Sequence, residues 1–463
     1  MIPAQDLVED GLTRAGAAGA DGCVVLVEEG SHVDVRFALN TTTTNGEQRN
    51  RAVSVVVFAG DSAGTARRTG VVGSDGVRDM VDAALRDARA APPAQDAFAS
   101  VEPADAPTGG RAFSAPPEET NPDALETVLS SLSGAFERAR ARDAVLAGFA
   151  ELDVDTVYLG SSTGVRLSHA QPTGAVSLVG RTADGTSSAW VAAPTITPSL
   201  REMEDEVWRR LDWATRKIAL EAGRYEVILP PSGTADMMAM LAYDALGGQD
   251  AEDGRTVFSK EGGGTRAGEG IATLPFTLSS DPAEPGVECM PFVATGASSS
   301  DVSVFDNGLA IGRVDWLRDG FLSRLRYHRA GAARSGVEMG PYVDNLVLRC
   351  GDLDGGSTDD MVARTERGLL LTCLWYIREV DPSTLLLTGL TRDGVYVIEN
   401  GAIVGAANNF RFNESPVDLL ARATEVGTPV RSLGREFGEY LNRTITPPLR
   451  IPDYNMSSVS QAS

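Results

Sequence analysis

Apolar positions in the first ninety residues alternate between a helical and a strand period. Leu7, Leu12 and Ala15 recur at helical spacing, so residues 6–18 read as a short amphipathic helix ending before Gly22. A strand follows at 23–28, alternation resumes at Val33, Val35 and Phe37, and a further apolar run covers 53–58. Residues 40–50, with four threonines and Asn45-Gly46, predict an exposed loop or hairpin turn. Val77, Met80, Val81, Ala84, Leu85 and Ala88 then share one face of a helix over 77–91.

Residues 91–122 are rich in Pro, Ala, Gly and acids, which predicts a surface excursion rather than core. Asn121 caps a second long helix over 122–143, with Pro122 at its first position. Strand-like segments follow at 147–153, 156–160, 165–170, 174–181 and 187–192. Leu200, Met203, Val207, Leu211, Ala214 and Ile218 line one face of a helix over 200–221. A domain boundary is expected just after it, dividing the chain into 1–222 and 223–463.

Past that boundary the chain changes character. A strand at 225–229 runs through Pro230-Pro231 into a helix over 232–248, with Ser232 or Thr234 as N-cap and Gly247-Gly248 closing it. Short strands at 309–314, 320–327, 346–349 and 368–377 are separated by Gly-, Ser- and Asp-rich loops. The stretch GVYVIENGAIVG, residues 394–405, carries Asn400-Gly401 between two strands and is the strongest hairpin signal in the chain. Residues 449–463 read equally as a fraying end or as a last strand adding to a sheet or a partner. The expected fold class is α+β: an N-terminal helix-and-sheet domain followed by a β-rich, mostly antiparallel C-terminal domain.

Charge narrows the partners. Lys plus Arg number 41 and Asp plus Glu 64 in 463 residues, and the net charge of −23 repels a phosphate backbone or an anionic lipid surface. Neither nucleic acid nor a membrane is therefore expected as a partner. No window approaches eighteen consecutive apolar residues, and Asp6, Glu9 and Asp10 stand where a secretory signal needs a basic start, so a cytoplasmic location is expected. Cys23, Cys289, Cys350 and Cys373 are far apart and show no CxxC spacing, which argues against a disulfide framework or a structural zinc site.

Candidate chemistry is sparse. Gly160 to Gly164 spell G-x-S-x-G with Ser162 in the nucleophile position, but a nucleophile elbow needs a helix afterwards and a strand follows here, which makes a hairpin. His32, His169 and His328 are too scattered to form a metal cluster. The glycine runs at 262–264 and 355–356 lack the Lys-Ser/Thr ending of a phosphate loop.

Two stretches carry a family resemblance. SGTADMMAMLAYDALGGQDAEDGRTVFSK, residues 232–260, and GLLLTCLWYIREVDPSTLLLTGLTRDGVYVIENGAIVGAANNFRFNESP, residues 368–416, resemble the TldD/PmbA family. The strand-and-turn pattern of 151–190, including LGSSTGVRL, is similar to its N-terminal region. In catalytic members the helix carries HExxxH, then a glycine-rich turn and a Ser-Val-Phe-Ser-like segment. Aligning that ending with Thr256, Val257, Phe258 and Ser259 puts the first His on Ala239, the Glu on Met240 and the second His on Asp244. Ala offers a methyl and Met a weak thioether in place of zinc donors, and Met240 cannot take a proton from a metal-bound water. Catalytic members also bring a Cys near the C-terminus, whereas the last Cys here is Cys373.

The resemblance therefore implies a TldE-like, non-catalytic subunit with no catalytic residue and no cofactor of its own. Its expected partner is a homologous TldD-like zinc-binding subunit in a heterodimer that hydrolyses peptides or processes peptide precursors. Within the second block, Arg378, Glu379, Asn408, Asn409, Arg411, Asn413 and Glu414, with Asp381 beside them, are candidate substrate-binding residues, because Asn and Arg donors can hold a peptide backbone or carboxylate. The same groups can instead satisfy loop carbonyls and caps. Two alternatives stay open. One is a metal-independent peptide-binding homodimer; the other is a stand-alone enzyme using Asp244, Asp250, Glu252 and Asp253 as acids in the same cleft.

Overall fold

The computed structural model describes residues 2–353 and 355–460. It is α+β with 38% strand against 24% helix, so sheets set the architecture and helices cover them. After helix α1 (Ala4–Ala17), six strands form one antiparallel sheet: β1 (Gly22–Ala38), β2 (Thr41–Ala59), β3 (Ser62–Thr69), β4 (Ala144–Ser161), β5 (Arg166–Thr182) and β6 (Ser188–Ala193). Their order is β3-β2-β1-β4-β5-β6. Odd-numbered residues of β1 and β2, among them Val25, Val27, Val53 and Val55, pack under α1 and helix α2 (Ser74–Ala90). Val33, Val35, Phe37, Leu146 and Leu178 pack under α3 (Glu126–Ala141) and α4 (Leu200–Trp213). All four helices thus lie on one face, as the period of two requires.

The opposite face meets the C-terminal half. Val24, Leu26, Val56, Phe58, Leu159 and Leu167 pack against Phe292, Val304 and Phe305. Val101 joins them at 3% exposure, so the Pro- and Ala-rich excursion is partly core. Extended chain without regular structure fills the space between the two halves there, and composition alone did not reveal it.

Local differences from the sequence reading have local causes. Residues 41–50 are the exposed first half of β2, paired with β1, rather than a loop. The turn lies one step earlier, at Leu39 (φ 52) and Asn40 (φ 57), and Asn40 is held there by accepting the Leu146 N–H at 2.7 Å and donating to the Ala144 carbonyl. The 200–221 helix stops at Trp213, and the chain turns into β7 (Lys217–Ile218). Asn121 does cap, accepting the Asp123 N–H, but the first turn is 3₁₀ before α3 begins.

β7 and β8 (Gly223–Leu229) enter a ten-stranded mixed sheet that holds most of the C-terminal half. β8 lies between Arg367–Leu371, which runs parallel to it, and Leu449–Val459, which runs antiparallel. Residues 449–459 are therefore a strand of the chain's own sheet, and 461–463 lie outside the described residues. The expected hairpin joins Val395–Glu399 to Ala402–Ala407 through Asn400 (φ 49) and Gly401 (φ 79). A second six-stranded sheet contains Phe276–Ser280, Val314–Arg318 and Leu346–Cys350. Helix α5 (Pro231–Ala245), followed by the short α6 (Gly248–Glu252), packs against strands of both.

Close approach makes one glycine decisive. A Cβ on Gly64 of β3 would lie 2.0 Å from the Ala84 carbonyl oxygen and 2.6 Å from the Ala88 nitrogen, both backbone atoms of α2. Gly64→Ala is expected to lift α2 from the sheet and cost about 1–3 kcal/mol, as overpacking does. Urea denaturation reads it, and an unchanged midpoint would contradict this packing.

Candidate functional site

Helix α5 is buried almost throughout. Met237, Met238, Ala239, Met240 and Leu241 are five consecutive buried residues, so the helix lacks a solvent stripe over this stretch. It starts without a side-chain cap: Pro230 takes the N-cap position and Thr234 is buried, in place of the expected Ser232 or Thr234 cap. Ala239 is 2% and Met240 6% exposed, both in the main hydrophobic cluster. Asp244 lies at the exposed end, its carboxyl raised by partial desolvation and drawn back by Arg326. Among the described residues no three His, Cys, Asp or Glu side chains converge as a metal set. The donor set at these positions does not fit zinc.

The same helix organises a loop. Asp236 is fully buried and accepts backbone N–H groups from Arg435 (2.9 Å), Glu436 (3.1 Å) and Phe437 (2.9 Å). Burial raises its carboxyl to about 7, against the pull of those three hydrogen bonds. Thus held, the loop places the Arg435 guanidinium 4.5 Å from the Trp375 ring centroid and 5.4 Å from that of Trp190. Glu436 accepts from Arg378 at 2.9 Å and from the Tyr376 N–H at 3.0 Å. Tyr376 is 56% exposed with φ 54.

Beside this loop a cleft of about 510 Å³ separates the N-terminal sheet from the C-terminal half. It shares Asp153, Thr173, Glu439 and Asn442 with a recess of about 130 Å³ that reaches Trp190 and Arg435. Glu151, Asp153 and Asp155 enter from alternate positions of β4, and Asp301, Asp344 and Glu439 line the other side. Desolvation and the Asp153 charge raise the Glu151 and Asp155 carboxyls, and desolvation raises Asp301 and Asp344. Burial pushes the His169 imidazole down. Arg443 pairs with Asp344 at 2.5 Å, and Arg326 with Asp301 at 2.9 Å. The lining of the cleft is predominantly acidic.

The sequence candidates do not form one cluster. Arg378 and Glu379 lie near the end of α5, where desolvation and then the Asp244 charge raise the Glu379 carboxyl. Asp381 binds the Ser383 and Thr384 hydroxyls in an exposed turn. Asn408 and Asn409 line a different cavity, at the β5–β6 hairpin. Arg411 donates to Thr388, Asn413 accepts from Thr388 and Ser457, and Glu414, 4% exposed, holds Arg422 and the Asn455 N–H. Ser162 accepts the Cys23 N–H in the β4–β5 hairpin. Asp250 and Asp253 pair with Arg255, and Glu252 accepts from Tyr327 at 2.7 Å. The cleft acids escaped the sequence reading although ELDVD, residues 151–155, carries their signal: acids at every second position of a strand share one face.

The fold and the helix-bearing C-terminal half define a metallopeptidase-related class. Residues 222–458 match the PmbA/TldA metallopeptidase C-terminal domain, over half the chain, and the protein belongs to the TldD/PmbA family. Its fold is similar to TldE from Thermococcus kodakarensis, with TM-score 0.75 and 16% identity over 97% of this chain and 99% of that one. It is also similar to candidate modulators of DNA gyrase from Bacteroides thetaiotaomicron (TM-score 0.77, 15% identity, 99% and 100% covered) and Thermotoga maritima (0.73, 14%, 97% and 99%). No curated protein matches the sequence. No helix among the described residues is long and apolar enough to cross a membrane.

Asp236→Ala leaves the three loop N–H groups without their acceptor and is expected to cost about 1–3 kcal/mol. A carboxyl near 7 when folded against 3.8 as its reference contributes stability that is complete below about 4 and lost as pH rises through about 7. Thermal unfolding at pH 5 and pH 8 should therefore differ more for the wild type than for Asp236→Asn. Equal differences would show that Asp236 does not titrate in this window.

Proposed function

We propose that this chain is the non-catalytic subunit of a heteromeric TldD-type zinc metallopeptidase, located in the cytoplasm. It shapes a peptide-access cleft, while a homologous partner supplies the zinc, the general-base glutamate and the hydrolytic water. One observation carries the reading: at the register of the zinc helix, Ala239 and Met240 are packed into the core. The likeness to a TldE structure over nearly the whole chain supports it, as does the cleft next to the Asp236-anchored loop. Self-sufficient acid chemistry at the α5–α6 junction gains less support, since Asp250 and Asp253 share an ion pair with Arg255 and Glu252 is bound to Tyr327.

Native mass spectrometry of the tagged protein, purified gently from its own cells, tests this. The expected spectrum is a complex of two different chains carrying zinc, with peptidase activity absent from the isolated chain. A metal-free homodimer would replace this reading with that of a peptide-binding protein. Zinc on this chain alone would overturn the register at Ala239, Met240 and Asp244.

A further inference from the structure

A second cavity lies away from the acidic cleft. It measures about 410 Å³ and is formed where the β5–β6 hairpin meets the edge of the ten-stranded sheet. In a chain of net charge −23, its lining carries two cations and a single carboxylate. The guanidinium of Arg181, exposed on β5, makes no ion pair or hydrogen bond among the described residues. Lys217 is one of only two lysines in the sequence, and it has no carboxylate in contact: its ammonium donates to the Ser187 hydroxyl at 2.6 Å and the Thr186 carbonyl at 3.1 Å. The other lysine, Lys260, pairs with Glu269 at 3.3 Å.

The carboxylate in the lining does not neutralise this pair. Asp393 is 5% exposed, accepts from the Ser188 hydroxyl and faces Arg392 at 3.6 Å. Asp184, in the hairpin turn, spends one oxygen on the Thr182 hydroxyl and on the N–H and hydroxyl of Thr186. Desolvation pushes the Lys217 ammonium down, and the Asp184 charge, which is not in contact with it, offsets only part of that. Asn408 turns its carbonyl oxygen to the Leu220 N–H at 2.8 Å and its NH₂ to the Asn409 carbonyl at 3.4 Å, which leaves one amide hydrogen for the cavity. Tyr396 completes the wall, fully buried with a hydroxyl that has no hydrogen-bond partner among the described residues.

We infer that this cavity binds an oxyanion, taken between Arg181 and Lys217 with the Asn408 amide as a further donor. The shared chemistry is a carboxylate or phosphate group with several acceptor oxygens, which suits a guanidinium and an ammonium in a partly desolvated setting. Its sources are the C-terminal carboxylate of a peptide or free phosphate. The inference goes beyond the proposed subunit role and needs no zinc-bearing partner. It is tested on the full chain alone, so its failure and that of the subunit reading are separate.

Having only two lysines makes the test clean, because Lys260 is an internal control. The protein is acetylated with acetic anhydride alone, with inorganic phosphate, with an N-acetylated tetrapeptide bearing a free carboxylate, and with its C-terminally amidated form. Mass spectrometry then gives the ratio of acetylated Lys217 to acetylated Lys260. The expected result is a fall in that ratio at millimolar ligand, with affinity weakened about tenfold in Arg181→Gln by loss of one charge-assisted contact. Protection by the free-carboxylate peptide but not the amidated one identifies a peptide terminus; protection by phosphate alone identifies phosphate. A ratio unchanged by every ligand, or protected equally in Arg181→Gln, overturns the inference.

Discussion

Burial around the circumference of α5 is the constraint on which the C-terminal half depends. A helix whose consecutive residues Met237 to Leu241 are all apolar or small and all buried cannot lie on a surface; it needs packing partners around it. The two C-terminal sheets and helix Pro416–Arg422 supply them. Asp236, fully buried, immediately precedes that stretch, and a buried carboxyl must be hydrogen-bonded or neutral. Three backbone N–H groups from one loop satisfy it. One polar residue in an apolar helix thus fixes where residues 434–438 sit and brings Glu439, Tyr440 and Arg443 to the cleft.

Electrostatics divides the junction of the two halves into unlike regions. On the β4 side, Glu151, Asp153 and Asp155 crowd one face, and mutual repulsion adds to desolvation in raising Glu151 and Asp155. Arg443 and Arg326 offset part of that charge through ion pairs with Asp344 and Asp301. In the cavity at the β5–β6 hairpin the balance reverses, with Arg181 and Lys217 in the lining beside the committed Asp393, and Asp184 outside it in the turn. A net charge of −23 makes the second arrangement the costlier to explain as chance, since solvent-exposed arginines elsewhere commonly have an acid within reach.

Helices and buried strands were legible because their apolar period survives the tertiary context. The α2 face from Val77 to Ala88 is buried as the pattern requires, and Asn400-Gly401 makes its hairpin because both positions need positive φ. Residues 41–50 misled for a physical reason: exposed on the sheet, they carry the polar composition of a loop while their backbone pairs with β1. Asn45-Gly46 there is strand, and Leu39-Asn40 turns instead, fixed by hydrogen bonds to Ala144 and Leu146 a hundred residues away. Long-range contacts of that kind leave no local signature. The chemistry that Ala239, Met240 and Asp244 can offer is read from their identity alone, whereas the placing of the other candidates rests on topology. Arg378 and Arg411 look alike in sequence, yet one reaches the Glu436 loop and the other the Thr388 side of a strand.

Losing metal ligands need not weaken a helix of this kind. A zinc site stabilises a fold by linking ligands across elements, and its removal would leave buried polar side chains unsatisfied. Apolar replacement avoids that cost: a fully buried methionine side chain contributes about 1.5–3 kcal/mol by transfer alone. With Met240 packed inward, α5 is held by burial and by Asp236, and neither depends on metal. On the proposed reading, the two roles of the family helix, holding the chamber and performing the chemistry, are separable. On that reading the first needs only the packing seen here, with Ala239 and Met240 in the core and Asp244 at the exposed end of the helix.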